Sequence, residues 1–518
     1  MKPGHGQRVL TPLRVYLAMV LLMAAAPAQE SRPATPAVGP ELNSTLTELQ
    51  SEVRELKTMV QQLKQETSAS RAEITRLRQE LEKDNINAMG SAAGSGLGPQ
   101  AGDTAQVPVD LRIGQLEDEQ VLLTGKVNEQ YQTKVESASK YRVRLTGIAL
   151  LNLFSNQGAV DNMDVPALAY RDSYLSPSGS FGGTLRQSII GLEVFGPQLM
   201  GARTSGSINF GIGGGFPYVY NGVNSGLVSL RTATMRLDWK DTSVVAGQDQ
   251  LFFQPNMPTS FASILVPPLS YSGNLWAWTP EIHAEHRFVL SENSSVSVQG
   301  GILDALTGEP PYYYTWYRTP QAGERSRQPA YAGRVAYSHT FFGRPLTVGA
   351  AGYYSRENWG YGRNVNGYSA MADWSVPLSE KLLLSGSFYR GQAIGGLGAA
   401  EGRSVLYSGA LSDPASIVIP LNTVGGWAQL KFKATPKIEF NGAYGQDNPF
   451  AFDLRYFSEP QSYGDPSISR NQSAFGNVIY RPRSDILFSL EYRRIRTSSI
   501  YGFDASAGQV NLGMGILF

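Results

Sequence analysis

Along several segments of this chain, ionisable side chains sit at alternate positions with apolar residues between them. Glu281, His283, Glu285 and Arg287 interleave with Ile282, Ala284 and Phe288. Arg236 and Asp238 alternate with Ala233, Met235 and Leu237, and Arg334 stands among Tyr331, Val335 and Tyr337. Gln429, Lys431 and Lys433 flank Leu430 and Phe432, while Ser489, Glu491 and Arg493 alternate with Phe488, Leu490 and Tyr492. A period of two puts such sets on opposite faces of a strand. Wrapped around water, the polar faces would line a pore and filter solutes electrostatically. The plainer alternative is that these charges only solvate a wide wall.

Bond-making chemistry is poorly provided for. The chain has no cysteine and 4 histidines, which excludes thiolate catalysis, disulfides and cysteine-based zinc sites. No metal, cofactor or enzymatic activity is expected. A hydrolase built on an outer barrel wall would have to use His286, which shares the parity of Ile282 and Ala284, and nothing else selects that residue. GGLGAAEG (395–402) lacks the Lys-Ser/Thr ending and following helix of a phosphate loop, so it reads as a mobile outer loop. Asp161 and Asp164 read as solvated loop acids.

The 44 Lys and Arg balance 43 Asp and Glu, so no bulk field draws in nucleic acid. Charged residues are 17% of the chain, against about 25% in ordinary soluble proteins. After residue 30 no apolar run approaches the length that a membrane helix needs, and mean hydropathy is −0.21. With 55 glycines and 26 tyrosines, the composition points instead to an all-β transmembrane barrel.

From Tyr141 onward the pattern is that of strands. In RVRLTGIALLNLF, Val143, Leu145, Gly147, Ala149 and Leu151 share one face; in QVNLGMGILF, Val510, Leu512, Met514, Ile516 and Phe518 do so. Comparable segments number about sixteen, centred near Thr146, Ile190, Ile208, Thr234, Ala246, Ala284, Val298, Val335, Ala350, Ala370, Gly386, Ala428, Phe440, Gly476, Leu490 and Leu512. Fourteen or eighteen remain open. Short connections such as WKDTS, LSENS and FFGRP alternate with longer ones such as 251–275 and 391–421. Short periplasmic turns and long outer loops are the expected arrangement of an outer-membrane barrel.

Ahead of the barrel (140–518) the chain changes character several times. Lys2, Arg8 and Arg14 precede the apolar stretch Val15 to Ala26, and Ala26-Pro27-Ala28 supplies a cleavage pattern, so residues 1–28 read as a signal peptide. Residues 29–41 read as a disordered N-terminus. Residues 42–84 carry heptads with Leu46, Val53, Val60, Ile74 and Leu81 at one seam position and Leu42, Leu49, Leu56, Leu63 and Leu77 at the other. Glu52, Glu66 and Glu73 would meet Lys57, Arg71 and Arg78 of a parallel neighbour. The expectation is a parallel coiled coil about 64 Å long in the periplasm. Val and Ile at one seam with Leu at the other lean towards dimers. Residues 85–110 read as a flexible linker, and 111–139 as a short helix and connector.

One long connection stands apart. FFQPNMPTSFASILVPPLSYSGN (252–274) carries no charge, and holds Phe252, Phe253, Phe261, Ile264, Leu265 and Tyr271. An apolar loop must bury itself, either in the barrel interior as a constriction or at a contact between chains.

A signal peptide, a periplasmic coil, about sixteen strands, YRVRLTGIALLNLF at the barrel start and VNLGMGILF ending in Phe518 resemble the trimeric Gram-negative porins of the DcaP-like and phosphate-selective-porin-like group. The resemblance implies an outer-membrane homotrimer, with a pore in each barrel for small-molecule solutes. It also implies that Phe518 serves as the signal read by the barrel-assembly machinery, and it supports an inward third loop. No ladder of arginine and lysine marks a phosphate-selective member, so the solute does not carry over. The competing reading is a structural or adhesive envelope protein, with the barrel as anchor and the coil as spacer.

Overall fold

The computed structural model describes residues 141–173, 177–213, 226–310 and 318–518. The expected signal peptide, coiled coil, linker and short helix lie outside the described residues.

Alternating residues fold into one closed antiparallel sheet of sixteen strand positions. In chain order these are β1 (Arg142–Gln157), β2 (Gly179–Thr184 and Ile189–Leu199), β3 (Ala202–Gly211), β4 (Ser229–Asp238), β5 (Thr242–Gln250) and β6 (Trp278–Ser291). They continue with β7 (Ser294–Leu303), β8 (Ala330–Phe341), β9 (Arg344–Asn358), β10 (Asn364–Pro377) and β11 (Leu382–Gln392). The last five are β12 (Asn422–Thr435), β13 (Ile438–Pro449), β14 (Ile468–Tyr480), β15 (Ile486–Ser499) and β16 (Asp504–Leu517). The two pieces of β2 pair with successive stretches of β1, so they occupy a single position. All sixteen centres read from the sequence fall within these strands.

The sheet closes where β1 pairs with β16, from Ile148 opposite Leu517 to Gln157 opposite Gly508. Gly147 and Phe518 finish the seam by exchanging two backbone hydrogen bonds of 2.7 and 3.1 Å. A Cβ at position 147 would stand 2.5 Å from the Ile189 carbonyl and 2.8 Å from the Phe518 ring, so only glycine fits there. Closure leaves no unpaired edge, which a strand-built membrane protein requires.

Burial separates the two faces. On β15, Leu490 is 54% exposed and Glu491 2%; Phe488 and Tyr492 share the face of Leu490, and Ser489 and Arg493 that of Glu491. An apolar outer face around a polar inner one is stable against lipid rather than water. The interior is filled by two kinds of cluster. Phe252, Phe253, Leu275, Tyr353, Met371, Tyr389, Ile394 and Leu397 form an apolar one. A polar one lines β12 to β16 and β1. Long connections at one end of the barrel feed both.

Candidate constriction site

The segment 252–274 leaves β5 and rejoins the sheet at β6, yet its hydrogen bonds go to strands across the ring. The Asn256 amide donates to the Trp374 carbonyl of β10 at 3.1 Å. The Thr259 amide donates to Gln429 of β12 at 2.5 Å, and its carbonyl accepts from Asn477 of β14 at 2.9 Å. Ser260 donates to Glu491 of β15 at 2.5 Å, and the Phe261 carbonyl accepts from Asn152 of β1 at 2.9 Å. The Ile264 and Leu265 amides share Gln187, between the two pieces of β2. Arg231 of β4 donates to the Ile264 carbonyl at 2.6 Å. An uncharged segment is held here mostly through its backbone, with the Asn256 side-chain amide and the Ser260 hydroxyl added, so the wall supplies the polar groups that satisfy it.

Its six nominated apolar residues divide by depth. Phe253 is fully buried, T-shaped against Phe252 at 5.3 Å and stacked on Tyr353 at 5.8 Å. Phe252 also stacks on His283 at 4.5 Å. Phe261 and Ile264 are half-buried against Ile148, Leu150 and Leu487. Leu265 lies beside Gly213, and Tyr271 near Trp276. Burial pushes the Tyr271 phenol up, helped by the nearby Glu401 and Asp161 carboxylates.

The ten nominated wall residues are not equivalent. Arg334, Gln429, Glu491, Arg493, Glu281 and His283 point inward but are buried rather than open to water. The reason is pairing and cover. Arg334 makes a two-pronged bond to Asp373, at 2.9 and 2.8 Å, and a third bond to Gln299. Arg493 donates to Glu491, and to Ser263 in the segment itself. Gln429 and Glu491 hold the segment as described, and Glu281 pairs with His283 at 2.9 Å. Arg236, Glu285, Arg287 and Lys431 keep solvent access. Arg236 lies near the short turn after Asp238. Each of these three cations has an acid beside it: Asp238 at 2.8 Å, Asp241 at 3.8 Å and Glu439 at 3.7 Å respectively.

Sequence reasoning missed Asp373 and the inward amides Asn152, Asn441, Asn477 and Asn511. Asn441 links Gln429, Glu439 and Asn477 into one network. The alternation that nominated Gln429 selects these residues too, each on the inward, buried face of its own strand.

Two other expectations are corrected. Residues 395–402 are not a mobile outer loop. Gly395–Leu397 and Ala400–Gly402 form short 3-10 turns, with Leu397, Ala399 and Ala400 buried, and the Leu397 carbonyl accepts from the Trp276 amide. Arg403, just after this stretch, is buried and spends its donors on the carbonyls of Ala400, Asp465 and Ile468. Asp164 is likewise not solvated, for it is buried against Arg186. Asp161 stays exposed, as expected, and accepts the amides of Ala167 and Leu168. On the outer face, His286 shares a hydrogen bond with the Thr242 hydroxyl at 2.7 Å.

A closed sixteen-stranded antiparallel barrel, apolar outside and polar inside, defines the class as an outer-membrane-type β-barrel. Its fold is similar to that of DcaP, an outer membrane channel of Acinetobacter baumannii. That similarity has a TM-score of 0.52 at 15% identity, and covers 74% of this chain and 99% of that one. The DcaP-like resemblance read from the sequence is thus met at the level of fold. Weaker similarities are to an anion-selective porin from Comamonas acidovorans (TM-score 0.45, 11% identity, 73% of this chain and 100% of that one) and to OmpT, an outer membrane protein of Vibrio cholerae (0.40, 9%, 74% and 100%). No protein-family model matches the sequence, and no curated protein does either.

Proposed function

We propose that this protein is an outer-membrane porin, a water-filled diffusion channel for small solutes, in which residues 252–274 cross the barrel and narrow it. The observation that carries this reading is the chain of hydrogen bonds from that segment to β10, β12, β14, β15 and β1, opposite its own attachment at β5 and β6. One side of the passage is then apolar, through Phe261 and Ile264, and the remaining open wall carries Arg236, Glu285, Arg287 and Lys431. A ring of one sign is what excludes the other ion. Here cations stand beside Asp238, Asp241 and Glu439, so ion selectivity is weak. Uncharged or amphipathic solutes such as sugars or small aromatic acids suit such a passage. The assembly is a homotrimer with its coil in the periplasm.

Removing residues 255–270 tests this in planar bilayers. Single-channel conductance rises severalfold, while reversal potentials of the intact protein under a salt gradient stay near zero. Conductance indifferent to the deletion would refute the constriction, and a strong anion or cation preference would hand control to the wall charges. A barrel without any conductance would favour the anchor reading.

A further inference from the structure

The outer wall is not uniformly apolar. Among the described residues, the outward positions of β1 to β8 carry no Lys, Arg, Asp or Glu. Those of β9 to β16 carry five arginines at the end bearing the long connections: Arg356, Arg390, Arg470, Arg494 and Arg496. Three of them converge. Arg494 and Arg496 follow Leu490 and Tyr492 at the same parity, and Arg496 stands opposite Gln472 and Ser506. Arg470 stands opposite Ser498, one strand over and two positions along from Arg496. Such diagonal neighbours lie ~7–8 Å apart, a separation that one phosphate group can bridge.

Among the described residues, one acid answers this cluster: Asp504, which Arg496 engages directly. Arg494 reaches the Ser506 hydroxyl at 3.3 Å. Beside them Gln472, Gln446 and the Tyr444 hydroxyl form a hydrogen-bonded polar flank. Towards the membrane centre the same face turns apolar, with Ala474, Tyr492, Leu490, Val510 and Leu512. An outward arginine is costly at the bilayer midplane and nearly free at its boundary. The switch between Tyr492 and Arg494 therefore marks that boundary, with cations on the headgroup side.

We infer that Arg470, Arg494 and Arg496 bind the phosphate of a phosphorylated outer-leaflet lipid, whose acyl chains lie on the apolar face below. The inference rests on the outer-membrane reading above, though not on the constriction. Guanidinium groups suit phosphate because they donate in a planar fork. The net excess of positive charge on β14 to β16 is the complementarity that selects an anionic headgroup.

The test is native mass spectrometry of the full-length protein in detergent with added lipid A, either bis-phosphorylated or enzymatically dephosphorylated, and separately with inorganic phosphate. Intact protein should retain the bis-phosphorylated form and bind the dephosphorylated form and inorganic phosphate poorly. The triple variant R470A/R494A/R496A should bind the bis-phosphorylated form about tenfold more weakly or worse, since each lost contact is a hydrogen bond between charged groups. Arg483→Ala, on an exposed turn at the other end, should leave binding unchanged. Asp504→Asn, which frees Arg496, should strengthen it. The heat-modifiable band confirms that each variant is folded. Equal retention of both lipid forms, or binding untouched in the triple variant, overturns the inference. A change of oligomer mass in the triple variant also overturns it, because the surface would then be a contact between copies. If only the channel reading fails, lipid binding persists in a barrel that does not conduct.

Discussion

Arg334 and Asp373 show how single residues set what the wall can do. They sit on β8 and β10 and meet across β9, where Gly349 leaves the gap; a Cβ there would press on the Asp373 carboxylate and stand 2.8 Å from the Arg334 guanidinium. The parity of β8 made Arg334 legible in the sequence. Its partner was not, because the pair skips a strand and no local spacing encodes that. Glu401 carries the clearest pH signature. Burial, reinforced by Asp465, Asp161 and Asp447 against the opposing Arg403, pushes its carboxyl up to about 7 from 4.5. The folded loop therefore holds this proton more tightly than the unfolded chain does. Its contribution favours the packed loop below pH 4.5 to 7 and is withdrawn as pH rises through that window. Amide exchange across 395–404, corrected for intrinsic rates, should be faster at alkaline than at mildly acidic pH. Glu401→Gln should flatten the difference; an unchanged pH dependence in that variant would assign it to another group.

At the level of elements, strands were far more legible than loops. Alternation is local, so β1 and β16 announce themselves within a dozen residues each. The burial of 252–274 left a trace because that segment lacks charge. The packing of 395–404 left none, because Arg403 is buried by donating to backbone carbonyls inside the molecule, with the Glu401 carboxylate 3.9 Å away, which no composition rule anticipates. The interruption of β2 was also invisible, since Leu185 to Ser188 continue an apolar and polar mixture without a strong breaker. The seam strand yields a graded prediction. Phe518→Ala removes the ring but keeps both backbone bonds to Gly147, whereas deletion of Phe518 removes all three contacts. Heat-modifiable barrel in the outer-membrane fraction should fall in the substitution and fall further in the deletion. Equal, normal levels in both would show that neither the ring nor the seam bonds are needed for assembly.

For the whole molecule, the proposed trimer would be held by contacts between barrels and by the coil expected over residues 42–84. Deleting residues 42–84 should lower the temperature at which the oligomer dissociates in detergent without altering the heat-modifiability of the barrel. An unchanged dissociation temperature and mass would mean that the coil serves some other purpose. The seam between β1 and β16 has a further consequence, in time rather than space. The first strand to emerge is paired on one edge by β2, but its other edge waits for the last residues of the chain. Until then β1 presents open backbone donors and acceptors on a largely apolar strand, the surface most prone to mispairing. The ring cannot be assembled piecemeal as the chain emerges. Its two ends must be delivered together, so a chain that stalls late has most of its wall and none of its closure.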